Sequence, residues 1–252
     1  MSWEAQNAHE FKSHRARSNW STNTSFARSC VRYPEIDDPD LAYETGFHIG
    51  DGSLGCYSRH QYRYALSGNK TTEESFYRLV IAPLLKQLYG LSPSLPMYRN
   101  SIYAIVYSKA LLSFKSEVIG LPIGHKDALK HLPALILDQG TKSRANLISG
   151  LYDADGCVKA RKTKSGIYPR VSIAQKTRGI VSDLQGIILR EFDIPSTLYR
   201  NNYDDRRIGK IETRWFLDFN GYGNFRKFAS LIGSRHPMIN ERIRFFLAMN
   251  DQ

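Results

Sequence analysis

The chain has 252 residues, 42% hydrophobic and 12% aromatic, enough to bury one large core or two of ordinary size without covalent staples. No run approaches the roughly 18 apolar residues of a membrane span, the first thirty residues are too polar for a signal peptide, and Cys30, Cys56 and Cys157 are odd in number with no CxxC pair. A soluble, intracellular, cytoplasmic protein is expected, with no disulfide framework, zinc ribbon or membrane partner. The 35 Lys plus Arg against 24 Asp plus Glu leave a net charge of +11, which favours a polyanion through counterion release; nucleic acid is the expected partner.

Residues 1–36 mix Ser, Asn, Arg and His with scattered aromatics and no sustained period, and read as an N-terminal extension. Its Arg15, Arg17, Arg28 and Arg32 suit either a phosphate backbone or a solvated arm. Asp37-Asp38-Pro39 then supplies a carboxylate cap and a proline at the first helical position, predicting a helix to about Gly50. Gly46 and Gly50 lie four apart on it, and Asp51-Gly52 closes it. From Ser53 to Ser67, Arg59, Gln61 and Arg63 alternate with His60, Tyr62 and Tyr64, the period of a strand pair. A helix from Thr71 to about Tyr89 follows, with Phe76, Val80, Leu84 and Leu88 on one side. Strands near 94–100 and 102–108 and a closing helix complete this half.

The second half repeats the order. A helix from near Ser143 carries Leu147 and Leu151 above Gly150 and Ala154 and ends at Asp155-Gly156. Val158 and Ala160 then alternate with Lys159 and Arg161, a turn is expected at Lys164-Ser165-Gly166, and Val171 and Ile173 alternate with Arg170 and Ser172. This predicts a hairpin with one apolar and one basic face. A helix from Arg178 to about Phe192 carries Val181, Leu184, Ile188 and Leu189, and strands Thr197–Tyr203 and Lys210–Phe219 precede a last helix. The halves share words in the same order: Asn69-Lys70-Thr71 with Gln175-Lys176-Thr177, Tyr98-Arg99-Asn100 with Tyr199-Arg200-Asn201, Ile119-Gly120 with Ile232-Gly233. An internal duplication of an α-β-β-α-β-β-α unit accounts for this. The expected division is an extension (1–36), a first half (37–125), a linker (126–142) and a second half (143–252).

Small residues four apart let two helix backbones approach closely, so Gly46 and Gly50 are expected to pack on Gly150 and Ala154. An aspartate at a helix C-terminus sits at the negative end of the helix dipole, and costs a few tenths to about 1 kcal/mol unless a cation is present. Both copies accept that cost. Side by side, Asp51 and Asp155 with the last-turn carbonyls of Gly50 and Ala154 would form a hard-oxygen site for magnesium, suited to phosphodiester hydrolysis. Three other readings compete. Gly50-Asp51-Gly52-Ser53-Leu54-Gly55 matches GxGxxG, but a capped helix precedes it where that fingerprint needs a strand. Asp153-Ala154-Asp155-Gly156 lacks the third oxygen position and the closing glutamate of an EF-hand loop. A plain Asp-Gly turn suits one copy better than two in a repeated frame.

Residues 146–156, Asn-Leu-Ile-Ser-Gly-Leu-Tyr-Asp-Ala-Asp-Gly, closely resemble the signature of the LAGLIDADG homing endonucleases, and Tyr43–Gly52 resembles it more loosely. The first copy, with Ile49 before Gly50-Asp51-Gly52, is similar to the form seen in some single-chain archaeal members. The resemblance covers about residue 37 to the C-terminus. It implies an α+β fold of two pseudo-twofold related αββαββα halves, each with a four-stranded antiparallel sheet, forming a saddle over duplex DNA. It implies a monomeric, intron- or intein-encoded, magnesium-dependent endonuclease cutting both strands of a long asymmetric site. The alternative is an intron RNA-splicing maturase or a non-cleaving DNA-binding module of the same fold.

By the same resemblance, Asp51 and Asp155 bind two or three Mg2+ ions with Gly50 and Ala154, each aspartate acting mainly on one strand, and Mn2+ or Ca2+ substitutes structurally. Asn69-Lys70 and Gln175-Lys176 would order water or stabilise phosphate charge near the metals, as would Lys109, whose partner by repeat alignment is Tyr222. Arg59, Arg63, Arg99, Lys159, Arg161, Arg170, Arg200, Lys210 and Arg214 are the candidate DNA-binding residues, reading guanine or holding phosphate.

Overall fold

A computed structural model describes residues 31–57, 61–164, 166–205 and 209–249. Arg15, Arg17, Arg28, Arg59, Ser165 and most of the expected N-terminal extension lie outside the described residues. The chain forms two compact units. One contains Gly52–Lys126 and Pro133–Asp138; the other contains Asp37–Asp51, Asp127–Leu132 and the chain from Gln139 onward. The first motif helix thus groups with the second motif helix, separated from the strands that follow it in sequence.

In the first unit β1 (Gly52–Cys56), β2 (Tyr62–Asn69), β3 (Met97–Tyr98) and β4 (Ser101–Tyr107) form an antiparallel sheet in the order β1-β2-β4-β3. Leu54, Tyr64, Leu66, Ile102, Ala104 and Val106 alternate onto its buried face. A helical stretch, α2 (Lys70–Phe76), a π-turn (Tyr77–Ile81) and α3 (Ala82–Tyr89), packs Phe76, Tyr77, Ile81, Leu84, Leu85 and Leu88 into the same core. Gly90 ends it in a left-handed conformation, φ 70°. Each large apolar side chain so buried contributes about 1.5–3 kcal/mol. β3 is much shorter than the predicted strand, because Pro93 and Pro96 offer no N–H to the ladder; before it, Ser94 makes a single bridge to Ile105. α4 (Lys109–Ser113), capped by the Ser108 hydroxyl, and the short α5 (Ala134–Leu137) complete the unit.

The second unit begins with α1 (Pro39–Asp51), which Asp38 caps by accepting from the Asp40 N–H at 2.8 Å. It packs along α6 (Thr141–Asp155). β5 (Gly156–Thr163), β6 (Gly166–Gln175), β7 (Thr197–Asp205) and β8 (Lys210–Asn220) form a second antiparallel sheet, order β5-β6-β8-β7, the same topology as the first. Val158, Val171, Ile173, Leu217 and Phe219 are its buried face. α7 (Arg178–Phe192), α8 (Tyr222–Leu231) and α9 (Pro237–Met249) pack against the sheet or each other. Two details differ from expectation. Leu189 is half exposed, since the core stripe of α7 runs through Ile180, Leu184, Ile187 and Ile188. Ala160 is exposed like Lys159 and Arg161, because beyond Val158 burial continues on β6, at Pro169 opposite Ala160, and not on β5. Among the described residues no helix is long and apolar enough to cross a membrane. The fold is α+β, two αββαββα halves each with a four-stranded antiparallel sheet.

Candidate metal centre and nucleic-acid interface

The seam between α1 and α6 is made by absent side chains. A Cβ on Gly46 would lie 1.9 Å from the Leu147 carbonyl oxygen, and one on Gly150 would lie 1.9 Å from the Tyr43 carbonyl oxygen, the same clash from either side. A Cβ on Gly50 would stand 2.3 Å from the Ala154 Cβ and 2.9 Å from Asp155 Oδ2. Glycine at these positions is a requirement of close backbone approach. The helices therefore run in parallel with Gly46 beside Gly150 and Gly50 beside Ala154, and their C-termini deliver Asp51 and Asp155 to one end of the seam. Gly156 lets the chain leave α6 over Tyr152, whose ring and carbonyl fill the space a side chain would need.

Asp51 and Asp155 are both half-buried. Gln175, at the last position of β6 and almost fully buried, donates from Nε2 to Asp155 Oδ2 at 2.7 Å. That bond holds one carboxylate oxygen in a fixed direction. The donor set fits a hard divalent cation: two carboxylates at the negative ends of two helices, with the last-turn carbonyls of Gly50 and Ala154 adjacent. Among the described residues no cluster of three or more His, Cys, Asp or Glu stands ready to bind a metal alone. A hard divalent cation that retains several of its waters suits such a sparse site.

The remaining sequence-predicted residues are more dispersed. Asn69 caps α2, its side chain accepting from the N–H groups of Thr71 and Thr72 at 2.8 and 3.4 Å. The registers explain the difference from Gln175. Gly52 pairs with Leu66 and Gly156 with Ile173, so the structural equivalent of Gln175 is Gly68, and Asn69 corresponds to Lys176. A one-residue slip exchanges the faces of a strand. Lys176 is paired with Glu212 at 2.9 Å, Lys70 opens α2, and exposed Lys109 opens α4 with its ammonium 5.7 Å from the Tyr62 ring. Tyr222 opens α8 at the matching point.

Of the basic candidates, Lys159, Arg170 and Arg214 share, by register and alternation, the sheet face opposite Val171 and Leu217, and Arg161 continues that row. Arg170 donates to Asp218 and, at 2.6 Å, to the Tyr199 hydroxyl; the bond to Asp218 holds its guanidinium above the usual range. Arg214 lies 3.6 Å from Glu212. Arg200 pairs with Trp215 and so falls on the other face. Lys210 begins β8, and its side chain lies outside the described residues. Arg63 is on the open face of the first sheet, between the rings of Tyr57 and Tyr103, 5.8 Å from each. Arg99 sits in the β3–β4 turn at φ 52°, over the Tyr98 ring.

One constellation escaped sequence reasoning. Asp153, 3% exposed, accepts from the Tyr43 hydroxyl at 2.6 Å, from the Ser234 hydroxyl, and from the N–H groups of Arg235 and His236 at 2.7 and 3.1 Å. Burial raises its carboxyl above the usual range against the pull of Ser234, Tyr43 and the Arg235 N–H. The Arg235 guanidinium lies 4.1 Å from the Tyr43 ring centroid and donates to Asp40 on α1 and Asn146 on α6 at 2.6 and 2.8 Å. The loop between α8 and α9 thereby pins both motif helices. The sequence signal was faint: Asp153 is part of the motif, but nothing in the chain marks Arg235 as its neighbour.

Comparison with known proteins agrees with this geometry. Residues 142–233 match the protein family described as a LAGLIDADG-like domain. The ribonucleoside-diphosphate reductase NrdEB alpha subunits of Bacillus subtilis (strain 168) and of Bacillus phage SPbeta are 25% identical over 179 residues, 68% of this chain but 16% of theirs. Among solved structures, the homing endonuclease I-DmoI in complex with DNA and Mn is 20% identical with a TM-score of 0.53, covering 80% of this chain and 99% of that one. The LAGLIDADG meganuclease I-CpaMI bound to uncleaved DNA is 13% identical with a TM-score of 0.52, covering 85% and 91%. Residues 142–233 are thus similar to a LAGLIDADG-like domain, and the chain as a whole carries the fold of two-domain LAGLIDADG meganucleases.

Proposed function

We propose that the protein is a LAGLIDADG homing endonuclease, a site-specific enzyme that hydrolyses both strands of a long DNA duplex with Mg2+ and acts as a monomer. The observation that carries this reading is the close-packed α1–α6 seam, which delivers Asp51 and Asp155 to one end with Gln175 bonded to Asp155. Two motif copies in one chain supply both aspartates, so a second chain is not needed. The solved relatives support the choice of metal and partner, being complexes with DNA and with Mn or Ca.

A divalent ion at this site supplies Lewis-acid polarisation of a phosphodiester oxygen. Asp51 and Asp155 would hold it, and their placement at helix C-termini would add the negative field that retains a cation. Gln175 orients Asp155, so that less reorganisation is needed when the phosphate arrives. Lys176, which follows Gln175, acts at the periphery on phosphate charge, and Lys159, Arg161, Arg170 and Arg214 face the duplex from the second sheet. The site fits phosphodiester hydrolysis better than acyl transfer, because among the described residues the geometry brings no nucleophile–base pair beside the two aspartates.

The test is selection from a library of randomised 30-base-pair duplexes, followed by incubation of an enriched duplex with the protein in Mg2+ and in EDTA. Double-strand cutting in Mg2+ that EDTA abolishes is the expected result. Tight binding without cutting in Mg2+ or Mn2+ would reassign the protein as a DNA-binding module or an RNA-splicing factor of this fold.

A further inference from the structure

Close packing on glycine fixes the distance between α1 and α6 better than it fixes their register. Packed helices usually hold their register because side-chain ridges on one sit in grooves on the other. At Gly46, Gly50 and Gly150 no such ridge exists, since each position excludes even a Cβ. The bare surfaces meet closely but offer little resistance to one helix sliding along the other, and such a slide would move Asp51 relative to Asp155.

A restraint on sliding comes from outside the seam, from residues 233–236 between α8 and α9. Arg235 touches both helices with one planar group. Its Nη1 donates to Asp40 Oδ1 on α1 at 2.6 Å, its Nη2 donates to Asn146 Oδ1 on α6 at 2.8 Å, and its guanidinium lies 4.1 Å from the centroid of the Tyr43 ring on α1. A slide of α1 along α6 must break one arm of that rigid fork. The side chains of Arg235 and Asp40 are 31% and 25% exposed, so salt screens their pair less than one on the open surface.

The base from which Arg235 reaches is itself fixed. The Ser234 hydroxyl accepts from the His236 N–H at 3.0 Å, the Ser234 carbonyl accepts from Asn240 Nδ2 at 2.8 Å, and His236 Nδ1 accepts from the Met238 N–H at 3.2 Å at the start of α9. The Ser149 hydroxyl donates to the Gly233 carbonyl at 3.1 Å, and Asp153 accepts from the Arg235 N–H at 2.7 Å, which anchors the segment on α6. The guanidinium then carries that anchorage across to α1, where the Tyr43 hydroxyl bonded to Asp153 adds a second tie. Arg144, also on α6, pairs instead with Glu191 on α7 at 2.9 Å.

We propose that Arg235 is a positioning residue for catalysis: by bridging Asp40 and Asn146 it sets the register of α1 on α6, and through it the spacing of Asp51 and Asp155. This rests on the reading of the two aspartates as the metal centre of an endonuclease. At 1.5 Å per residue, about 17 Å of helix separates Asp40 from Asp51 and about 14 Å separates Asn146 from Asp155. A hydrogen-bonded helix of that length moves as a rod, so a shift at the Arg235 end arrives at the aspartates. Magnesium tolerates little such shift, because it demands near-octahedral oxygens at about 2.0–2.1 Å.

The experiment compares wild type, Arg235→Met, Asp40→Ala and Arg144→Met on one duplex enriched from the randomised library. Single-turnover cutting is measured against Mg2+ concentration, Mn2+ bound to the protein–duplex complex is measured by electron paramagnetic resonance, and the urea midpoint reports folding. Methionine keeps apolar bulk over Tyr43 and removes the fork; Asp40→Ala removes the arm to α1 alone and serves if Arg235→Met does not fold. Both variants should cut about tenfold more slowly, and require about threefold more Mg2+ and Mn2+ for half-saturation. Arg144→Met should lower the urea midpoint and leave cutting and metal dependence as in wild type. Wild-type cutting and metal dependence in the folded Arg235 or Asp40 variant, or an equal loss in Arg144→Met, would overturn the inference and leave the endonuclease intact. A wild-type protein that binds the duplex but neither cuts it nor takes up Mn2+ would overturn the endonuclease reading and this inference together.

Discussion

Gln175 and Asp153 flank Asp155 in different ways, and their substitution separates two roles. Gln175 reaches Asp155 directly, so Gln175→Ala should lower the rate of cutting 10- to 100-fold while leaving duplex affinity within about threefold, as is usual for a group that orients a metal ligand. Single-turnover cleavage and equilibrium binding on one selected duplex check this. Asp153 is bound by two hydroxyls and two backbone N–H groups, all of which would be orphaned in Asp153→Ala. That variant should lose about 3 kcal/mol of stability, seen as a lowered urea midpoint at unchanged slope. The sequence made Gln175 legible through the family resemblance, and placed Asn69 beside it through a shared word. The fold separates them, because register, fixed by Gly52 and Gly156 at the strand starts, outranks local similarity: Gly68 stands where Gln175 does, and Asn69 is drawn to the cap of α2. The Asp153 network joins residues 81 to 110 positions apart, and no periodicity encodes such a meeting.

At the scale of elements, the seam of α1 and α6 is the decisive contact. Both helices were legible from local signals, α1 from its carboxylate cap, proline and small-residue spacing, and α6 from its apolar and small-residue spacing. Their pairing was legible because the small residues recur in both copies. Gly150→Ala places a methyl on the Tyr43 carbonyl and should destabilise the protein by at least about 3 kcal/mol or prevent its folding. Gly223→Ala on α8, where a Cβ meets nothing within 4 Å, should be neutral or stabilise by up to about 1 kcal/mol. Thermal unfolding of the two variants beside wild type measures the contrast; equal effects would contradict a close-packed seam. The strands were less legible. The prolines that truncate β3 are visible in the sequence, but their consequence for a sheet edge depends on which strand lies outermost, a property of topology. Likewise the alternation through Ala160 is real, yet burial on β5 ends at Val158, because the extent to which helices cover a strand is set by the fold.

For the whole molecule, a duplication written in the sequence becomes two sheets of one topology, while the motif helices of both copies join in a single unit. The excess of +11 is unevenly spread over the sheets, with most described basic strand side chains on the second. A field of that size favours a polyanion, and in the proposed function the two aspartates supply the chemistry. The most direct measurement is cleavage of a selected duplex labelled on each strand separately, comparing wild type with Asp51→Asn and Asp155→Asn in Mg2+. Each substitution keeps the shape of the helix end and removes one charge from the metal site. Each should reduce double-strand cutting about a hundredfold or more with binding retained. Double-strand cutting at the wild-type rate by either variant would contradict the assignment of the paired helix ends as the catalytic centre.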